Sequence, residues 1–423
     1  MKAKYTLPRG TYDILPNESW KWHIIRTAFQ KTASLFSYQE IVTPIFEQAA
    51  LFERSVGDTS DIIQKEMYKF EDKKGRQFAL RPEGTAPVVR SIVEHNLLQQ
   101  EQMLKLCYSG AMFRYDRPQK GRYRQFYQYG IEFLGNNHPY YDAEVIAFAD
   151  FFLRELGLKN FQLEINSIGC SACSQDFDKA LIAYFLPHEQ ELCQDCTLRL
   201  EKNPKRILDC KIPSCKKIAQ EAPSMLDYLD SECALHFAKV QEYLEHMEIP
   251  YKVNPKIVRG LDYYTQTAFE FTDSNLGAQS TLIGGGRYNK LVSELGGKDV
   301  SGIGFAGGFE RLLLSMETEN LLNEEPYELD IFVVIAGDEL EISGIQFIHF
   351  LRKNSFSTEF AFEKKSVRAQ MKAADKSNAK FVILLGEEEL KEDKIVVRKL
   401  QSGVQTTLAK DDLISFLRND ESR

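Results

Sequence analysis

A chain of 423 residues is too long for one hydrophobic core, so two or three domains are expected. Its 43% hydrophobic and 27% charged residues suit a folded globular protein and exclude a largely disordered one. A formal net charge of −8 argues against a protein that coats nucleic acid, although a local basic face can still serve RNA. The N-terminus has no apolar signal-like region and no apolar run is long enough to cross a bilayer, so a cytoplasmic protein without a membrane partner is expected.

Pattern breaks divide the chain into an interrupted first domain over 1–166 and 251–322, an insertion over 167–250, and a tail over 326–423. Within the first domain, Arg81-Pro-Glu-Gly-Thr85 precedes a predicted helix from Ala86 to Leu98. Thr85 reads as an N-cap there, and Glu83 as either a solvated loop acid or a carboxylate that could hold an ammonium group. Two strand-like runs then flank a loop carrying Arg117, Lys120, Arg122 and Arg124, which predicts a hairpin with a cationic tip. On its second strand, Phe126, Gln128 and Glu132 share one face. A buried Gln and Glu on one strand face are costly unless something satisfies them.

The insertion carries Cys170-x-x-Cys173 and Cys193-x-x-Cys196, with Cys210 and Cys215 following, amid helical spacing of apolar residues. In a cytosolic chain this double pattern points to a structural zinc ion on Cys170, Cys173, Cys193 and Cys196, with Cys210 and Cys215 able to replace one pair. Cys107 and Cys233 read as packing residues.

Beyond the insertion, Val258-Arg-Gly-Leu-Asp-Tyr-Tyr264 and Gly284-Gly-Gly-Arg-Tyr288 place polar and glycine residues between strand-like segments. The triple glycine allows either a tight turn or a close backbone approach to a ligand. Gly302-x-Gly304-x-x-Gly307 nominally matches a dinucleotide fingerprint, but the strand–turn–helix context that this needs is missing. Arg311 falls in the first turn of a predicted helix, where the dipole disfavours a cation unless an anion sits opposite. The tail alternates strand and helix before a hairpin signal, which predicts a small α/β domain. Its Lys364, Arg368, Lys372, Lys376 and Lys380 recur at four-residue spacing.

Taken in order, these segments resemble the motifs of class II aminoacyl-tRNA synthetases, and in detail those of the histidyl-tRNA synthetase family. The carrying strings are Leu7-Pro-Arg-Gly-Thr-Tyr-Asp13, Arg81-Pro-Glu-Gly-Thr85, the run from Phe113 to Phe126, Arg259-Gly-Leu-Asp-Tyr-Tyr264, Gly284-Gly-Gly-Arg-Tyr288 and Gly304-Phe-Ala-Gly-Gly-Phe-Glu-Arg311. The resemblance implies an α+β fold: an antiparallel-sheet catalytic domain with a mostly helical insertion, and a C-terminal α/β anticodon-binding domain. It implies a homodimer with Glu40-Ile-Val-Thr-Pro44 near the interface. Its substrates would be L-histidine, ATP with Mg2+, and tRNA(His).

The same resemblance assigns roles. Arg114 and Arg259 would act on the α-phosphate and Arg311 on the γ-phosphate, while Arg122 would contact ATP or the tRNA acceptor end. Glu83, Thr85 and Gln128 would hold the α-amino group. Glu132 and Tyr264 would address the imidazole, with Tyr263 also in the histidine site. A silent paralogue that regulates ATP phosphoribosyltransferase is the principal alternative, and a plain RNA-binding module is another. A dinucleotide-dependent oxidoreductase rests on the glycine pattern alone.

Overall fold

The computed structural model describes residues 4–56, 62–258, 261, 263–322, 329–361 and 366–421. They fall into two compact units divided between residues 323 and 324. Of the predicted positions, Arg259, Gly260, Asp262 and Lys364 lie outside the described residues.

The first unit contains strands β1 (Gln39–Glu40), β2 (Phe46–Gln48), β3 (Lys69–Glu71), β4 (Gln77–Leu80), β5 (Leu104–Phe113), β6 (Gln125–Leu134), β7 (Gln162–Ser167), β8 (Tyr251–Val253), β9 (Thr265–Thr272), β10 (Thr281–Arg287) and β11 (Gly302–Gly308). Eight of them make one sheet in the order β1-β5-β6-β11-β10-β9-β7-β8. All its pairings are antiparallel except those of the short edge strands, β1 with β5 and β8 with β7. A separate three-stranded sheet has the order β2-β4-β3.

The alternation along β6 decides which face of the large sheet becomes core. Tyr127, Tyr129, Ile131 and Phe133 point to one side, where they join Trp22, Ile25 and Phe29 of the Pro16–Leu35 helix and Phe148 and Phe152 of the Tyr140–Glu155 helix. Tyr129 packs with ring centroids 5.4 Å from Phe29 and 5.1 Å from Phe152. Large rings such as these bury much apolar area each, which favours the packing of the two helices on the sheet. The opposite face, with Phe126, Gln128 and Glu132, is left for the site.

The predicted cationic hairpin is β5–β6, paired over their full length from Leu104↔Leu134 to Phe113↔Gln125. The triple glycine is not a turn. It lies inside β10, and Gly302–Gly308 is a strand between β6 and β10 and no dinucleotide-binding loop.

The insertion is mostly helical, as expected. The helices Ser171–Phe185, Gln194–Lys202 and Pro213–Ile218 enclose a small core of Phe177, Leu181, Phe185, Leu200, Ile207 and Met225. The return helix, Ser231–His246, buries Phe237, Val240 and Leu244 in the main core.

In the second unit, β12 (Leu329–Ile335), β13 (Thr358–Phe360), β14 (Ala379–Leu385), β15 (Lys394–Lys399) and β16 (Gln405–Ala409) form a mixed sheet in the order β13-β12-β14-β15-β16. β12 runs parallel to β13 and β14, and β15–β16 is the predicted hairpin. The Glu341–Lys353 and Val367–Lys376 helices match the predicted alternation. Arg368, Lys372 and Lys376 are exposed along one helix face, whereas Lys380 lies on β14 and pairs with Asp330 at 3.2 Å.

Candidate active site

A cavity of about 250 Å3 opens over the face of the sheet opposite the main core, lined by Glu83, Thr85, Arg114, Arg122, Gln128, Tyr263, Tyr264 and Arg311 among others. Its floor is nearly side-chain-free because Gly284 on β10 lies across from Ala306 on β11. The glycine at 286 has a further reason. A Cβ there would sit 2.6 Å from the Thr267 carbonyl oxygen and 3.0 Å from the Tyr264 ring.

At one end of the cavity, Glu83 and Thr85 belong to a carboxylate network that reaches behind the wall to Glu132. Glu132 is wholly buried, and its two oxygens accept from the Thr85 hydroxyl at 2.7 Å and the Tyr288 hydroxyl at 2.5 Å. Burial raises its carboxyl to about 8, against the opposing pull of those two hydrogen bonds. Glu83 is not a solvated loop acid. It is buried, and its carboxylate accepts from the Thr85 and Ala86 amides at 2.7 and 2.8 Å, capping the Thr85–Glu94 helix itself. Thr85 is therefore the first helical residue and not the cap, which leaves its hydroxyl free to reach Glu132. Burial raises the Glu83 carboxyl, and the two amides and the nearby Arg114 oppose that rise.

Gln128 Oε1 and the Tyr263 hydroxyl are buried with no hydrogen-bond partner among the described residues. Both belong to residues that line the cavity. Buried polar atoms left in this state mark places where a ligand would complete the hydrogen bonding.

The other end is cationic. Arg114 Nε donates to the Pro82 carbonyl at 2.8 Å, and its guanidinium lies 5.2 Å from the Phe126 ring centroid. Arg311, in the first turn of the Phe309–Thr318 helix, donates to the Thr281 carbonyl at 2.8 Å. Burial pulls both guanidinium groups below their ordinary range, and for Arg311 the proximity of Arg122 and Arg114 adds to it. Two arginines with that repulsion between them suit an anion that bridges them. Arg122 is paired with Asp116 at the hairpin tip. Neighbouring Glu310 accepts from the Tyr12 hydroxyl at 2.6 Å and the Tyr127 amide at 2.9 Å, so this acid holds the N-terminal segment against β6.

Two features of the site are absent from the sequence reading. The first is the role of Tyr288, read only as the end of the triple-glycine string, which donates to Glu132. The second supports the floor from behind. Arg287 and Asp142 form a fully buried ion pair, with Arg287 Nε 3.1 Å from both carboxylate oxygens, and His236 Nε2 lies 3.2 Å from Asp142 Oδ1. Burial alone would raise the Asp142 carboxyl, but Arg287 and His236 hold it down to about 2. The three residues come from β10, the Tyr140–Glu155 helix and the return helix of the insertion.

The cysteines do not form a set of Cys170, Cys173, Cys193 and Cys196; Cys210 and Cys215 replace one pair, as the sequence allowed. Cys193 and Cys196 gather with Cys210 and Cys215, whereas Cys170 and Cys173 gather with Asp230 and Cys233. CxxC spacing brings the two members of a pair together but says nothing about which pair meets which. Cys233 belongs to the second group and is no mere packing residue.

An antiparallel sheet whose open face joins buried carboxylates to paired arginines is the catalytic platform of a class II aminoacyl-tRNA ligase. The family model for histidyl-tRNA synthetase matches residues 10–172 and 205–312, and that for the anticodon binding domain matches 330–420. The histidine–tRNA ligase of Clostridioides difficile (strain 630) is 46% identical over 412 residues, covering 97% of this chain and 98% of its own. That of Bacillus licheniformis is 47% identical over 422 residues, covering 99% of this chain and 100% of its own. The solved structure of apo S. aureus histidyl-tRNA synthetase aligns with a TM-score of 0.83 at 39% identity, covering 98% of this chain and 99% of that one. This chain belongs to the histidyl-tRNA synthetase family. Residues 173–204, which carry Cys173, Cys193 and Cys196, fall between the two matched segments.

Proposed function

We propose that this protein is a histidine–tRNA ligase, which activates L-histidine with ATP and transfers it to the 3′ end of tRNA(His). The observation that carries the reading is one cavity lined both by Gln128 and Thr85, the latter hydrogen-bonded to the buried Glu132, and by Arg114 and Arg311. In the first step a histidine carboxylate oxygen attacks the α-phosphorus of ATP. The bond to the bridging oxygen breaks and pyrophosphate leaves with the electron pair. In the second step a hydroxyl of the terminal ribose attacks the acyl carbon and AMP leaves.

Such displacements need positioning and charge neutralisation more than covalent help. Arg114 would hold the α-phosphate and carboxylate, with Arg259 approaching from the opposite side. Arg311 would hold the γ-phosphate, and Mg2+ would arrive with ATP. Arg122 would contact ATP or the tRNA acceptor end. Glu83, Thr85 and Gln128 would receive the α-ammonium, for which the unpartnered Gln128 Oε1 is a ready acceptor. Tyr263 and Tyr264 would close the histidine site around the side chain.

For the imidazole, a Glu132 carboxyl poised at about 8 is well matched to a ring of ordinary pKa ~6.5. Near neutrality the two groups share one proton. An apolar side chain would leave Glu132 without that partner, so the site rejects it strongly.

The wider reading assigns 167–250 to an insertion and 326–423 to anticodon binding, where the exposed face of Arg368, Lys372 and Lys376 would meet RNA backbone. A cytoplasmic homodimer is part of it. Arg81 Nη1 clamps the Thr43 carbonyl at 2.8 Å, and the adjoining Val42, Ile45 and Phe46 are exposed apolar residues that a second copy would cover. A structural Zn2+ in the insertion completes the cofactor set. The regulatory-paralogue alternative expects eroded motifs and a lost tail, whereas Arg114, Arg259, Arg311 and the tail are all present.

The test is amino-acid-dependent ATP–pyrophosphate exchange across the common amino acids, with wild type beside Arg259→Ala. Exchange with histidine alone, abolished in the variant, is expected. No exchange with any amino acid would overturn the reading in favour of a regulatory or RNA-binding protein.

A further inference from the structure

The cysteine-rich insertion holds two separate four-ligand groups, each with its candidate ligand atoms within 4.8 Å of one another. The distal group is Cys193, Cys196, Cys210 and Cys215. The basal group is Cys170, Cys173, Asp230 and Cys233. None of these cysteines is in a disulfide.

The spacing of the sulfurs is that of a tetrahedral edge. Zinc–sulfur bonds of ~2.3 Å at tetrahedral angles place sulfurs about 3.8 Å apart. Cys193 Sγ and Cys210 Sγ are 3.9 Å apart, and Cys170 Sγ and Cys173 Sγ 3.6 Å. Backbone amides point at the sulfurs as they do around metal-bound thiolates: Cys193 N donates to Cys215 Sγ and Asp230 N to Cys173 Sγ, both at 3.2 Å.

Asp230 distinguishes the basal group. Its Oδ1 accepts from the Cys233 amide at 2.7 Å and so caps the Ser231–His246 helix. Its Oδ2 faces the other way, 3.2 Å from both Cys170 Sγ and Cys173 Sγ. One carboxylate thus fixes the start of the return helix and supplies a ligand oxygen. Gly169, with φ +64°, makes the entry turn possible, because a Cβ there would lie 2.6 Å from the Cys173 Cβ and 2.4 Å from the Met225 Cε.

We infer that the insertion binds two zinc ions: a distal one on Cys193, Cys196, Cys210 and Cys215, and a basal one on Cys170, Cys173, Asp230 and Cys233 that joins the insertion's entry to its exit. The basal ion clips together the chain leaving β7 and the helix returning to the main core. The distal ion gathers the helices at the far end, where the small core leaves little else to hold them. Four and three thiolates with one carboxylate are soft and borderline donors in tetrahedral array, which suits Zn2+ over Mg2+ or Ca2+.

The experiment is metal analysis of the full chain purified without chelator, with Cys210→Ser and Asp230→Asn beside it. Asn caps a helix as well as Asp does, so Asp230→Asn removes the charged ligand while keeping the helix start. Wild type should carry two equivalents of zinc. Each variant should fall to about one after mild chelation, and the double variant should fall to none. Should a variant fail to fold, wild type alone still decides. Titration with a thiol-blocking mercurial should release two zinc ions on modification of seven thiols, leaving only the buried Cys107. One equivalent or less in wild type, iron in place of zinc, or loss of the same single ion in both variants would overturn the inference.

Discussion

Gly304 on β11 lies directly across from Glu132 on β6, and a methyl group added to it would fall 2.0 Å from Glu132 Oε2 and 2.3 Å from the Ile131 carbonyl oxygen. The second contact is backbone and cannot swing away. Gly304→Ala should therefore displace β11 or push the carboxylate out of its hydrogen bonds. The expected cost is about 1–3 kcal/mol of stability, typical of an overpacked core. The KM for histidine should rise at least about tenfold in pyrophosphate exchange, with the KM for ATP far less affected.

Glu132 gives the stability curve a recognisable slope. Its carboxyl lies near 8 in the folded protein against an ordinary value near 4.5, so the folded state holds the proton more tightly than the unfolded one. That contribution is complete below about pH 4 and is lost as pH rises through about 8. Glu132→Gln lacks it. The melting temperature of the variant, measured against wild type from pH 5 to pH 9, should shift in the variant's favour as pH rises. The same variant should lose histidine-dependent exchange.

Arg114 and Arg311 each donate to a backbone carbonyl, at Pro82 and Thr281, and both line the cavity. Lysine keeps the charge but not the fork. Arg114→Lys should lower kcat for exchange by about 100-fold or more, as expected when an interaction realised in the transition state is removed. Arg311→Lys should act chiefly on the KM for ATP. Thermal melts should separate both from Gly304→Ala by showing little loss of stability.

Asp142→Asn should be a folding variant rather than a catalytic one. It leaves Arg287 buried with half its partner, at an expected cost of about 3–5 kcal/mol. The folded carboxyl sits at about 2, below its ordinary 3.8, so its contribution is present above about pH 4 and is lost as pH falls toward 2. The deficit of the variant in denaturant melts should be full at neutral pH and should shrink between pH 4 and pH 2.

Local pattern carried the reading of this sequence furthest where one element decides. The period of two along β6 placed Gln128 and Glu132 on the face that turns away from the core, with Gln128 in the cavity wall, and Tyr129 and Ile131 in the core. The strand–helix alternation of the tail was equally plain. What stayed hidden depends on residues that meet only in the fold. Glu83 stays open between a solvated loop acid and an ammonium-binding carboxylate, because nothing local says that its own carboxylate turns back to cap the next helix. Tyr288 and Glu132 are 156 residues apart in the chain, and Arg287, Asp142 and His236 come from three distant segments. The cysteine pairs were visible, but their partners were fixed by which helix ends converge.

β6 serves the core with one set of side chains and the cavity with the other. Sliding it by a single residue against β5 and β11 would turn Tyr129 and Ile131 into the pocket and bury Gln128 and Glu132 against the Pro16–Leu35 and Tyr140–Glu155 helices. A form slipped by one residue could not keep the hydrophobic interior while losing only substrate choice, or the reverse. A cell that degrades chains with exposed aromatic rings would thereby also remove the ones that misread their amino acid.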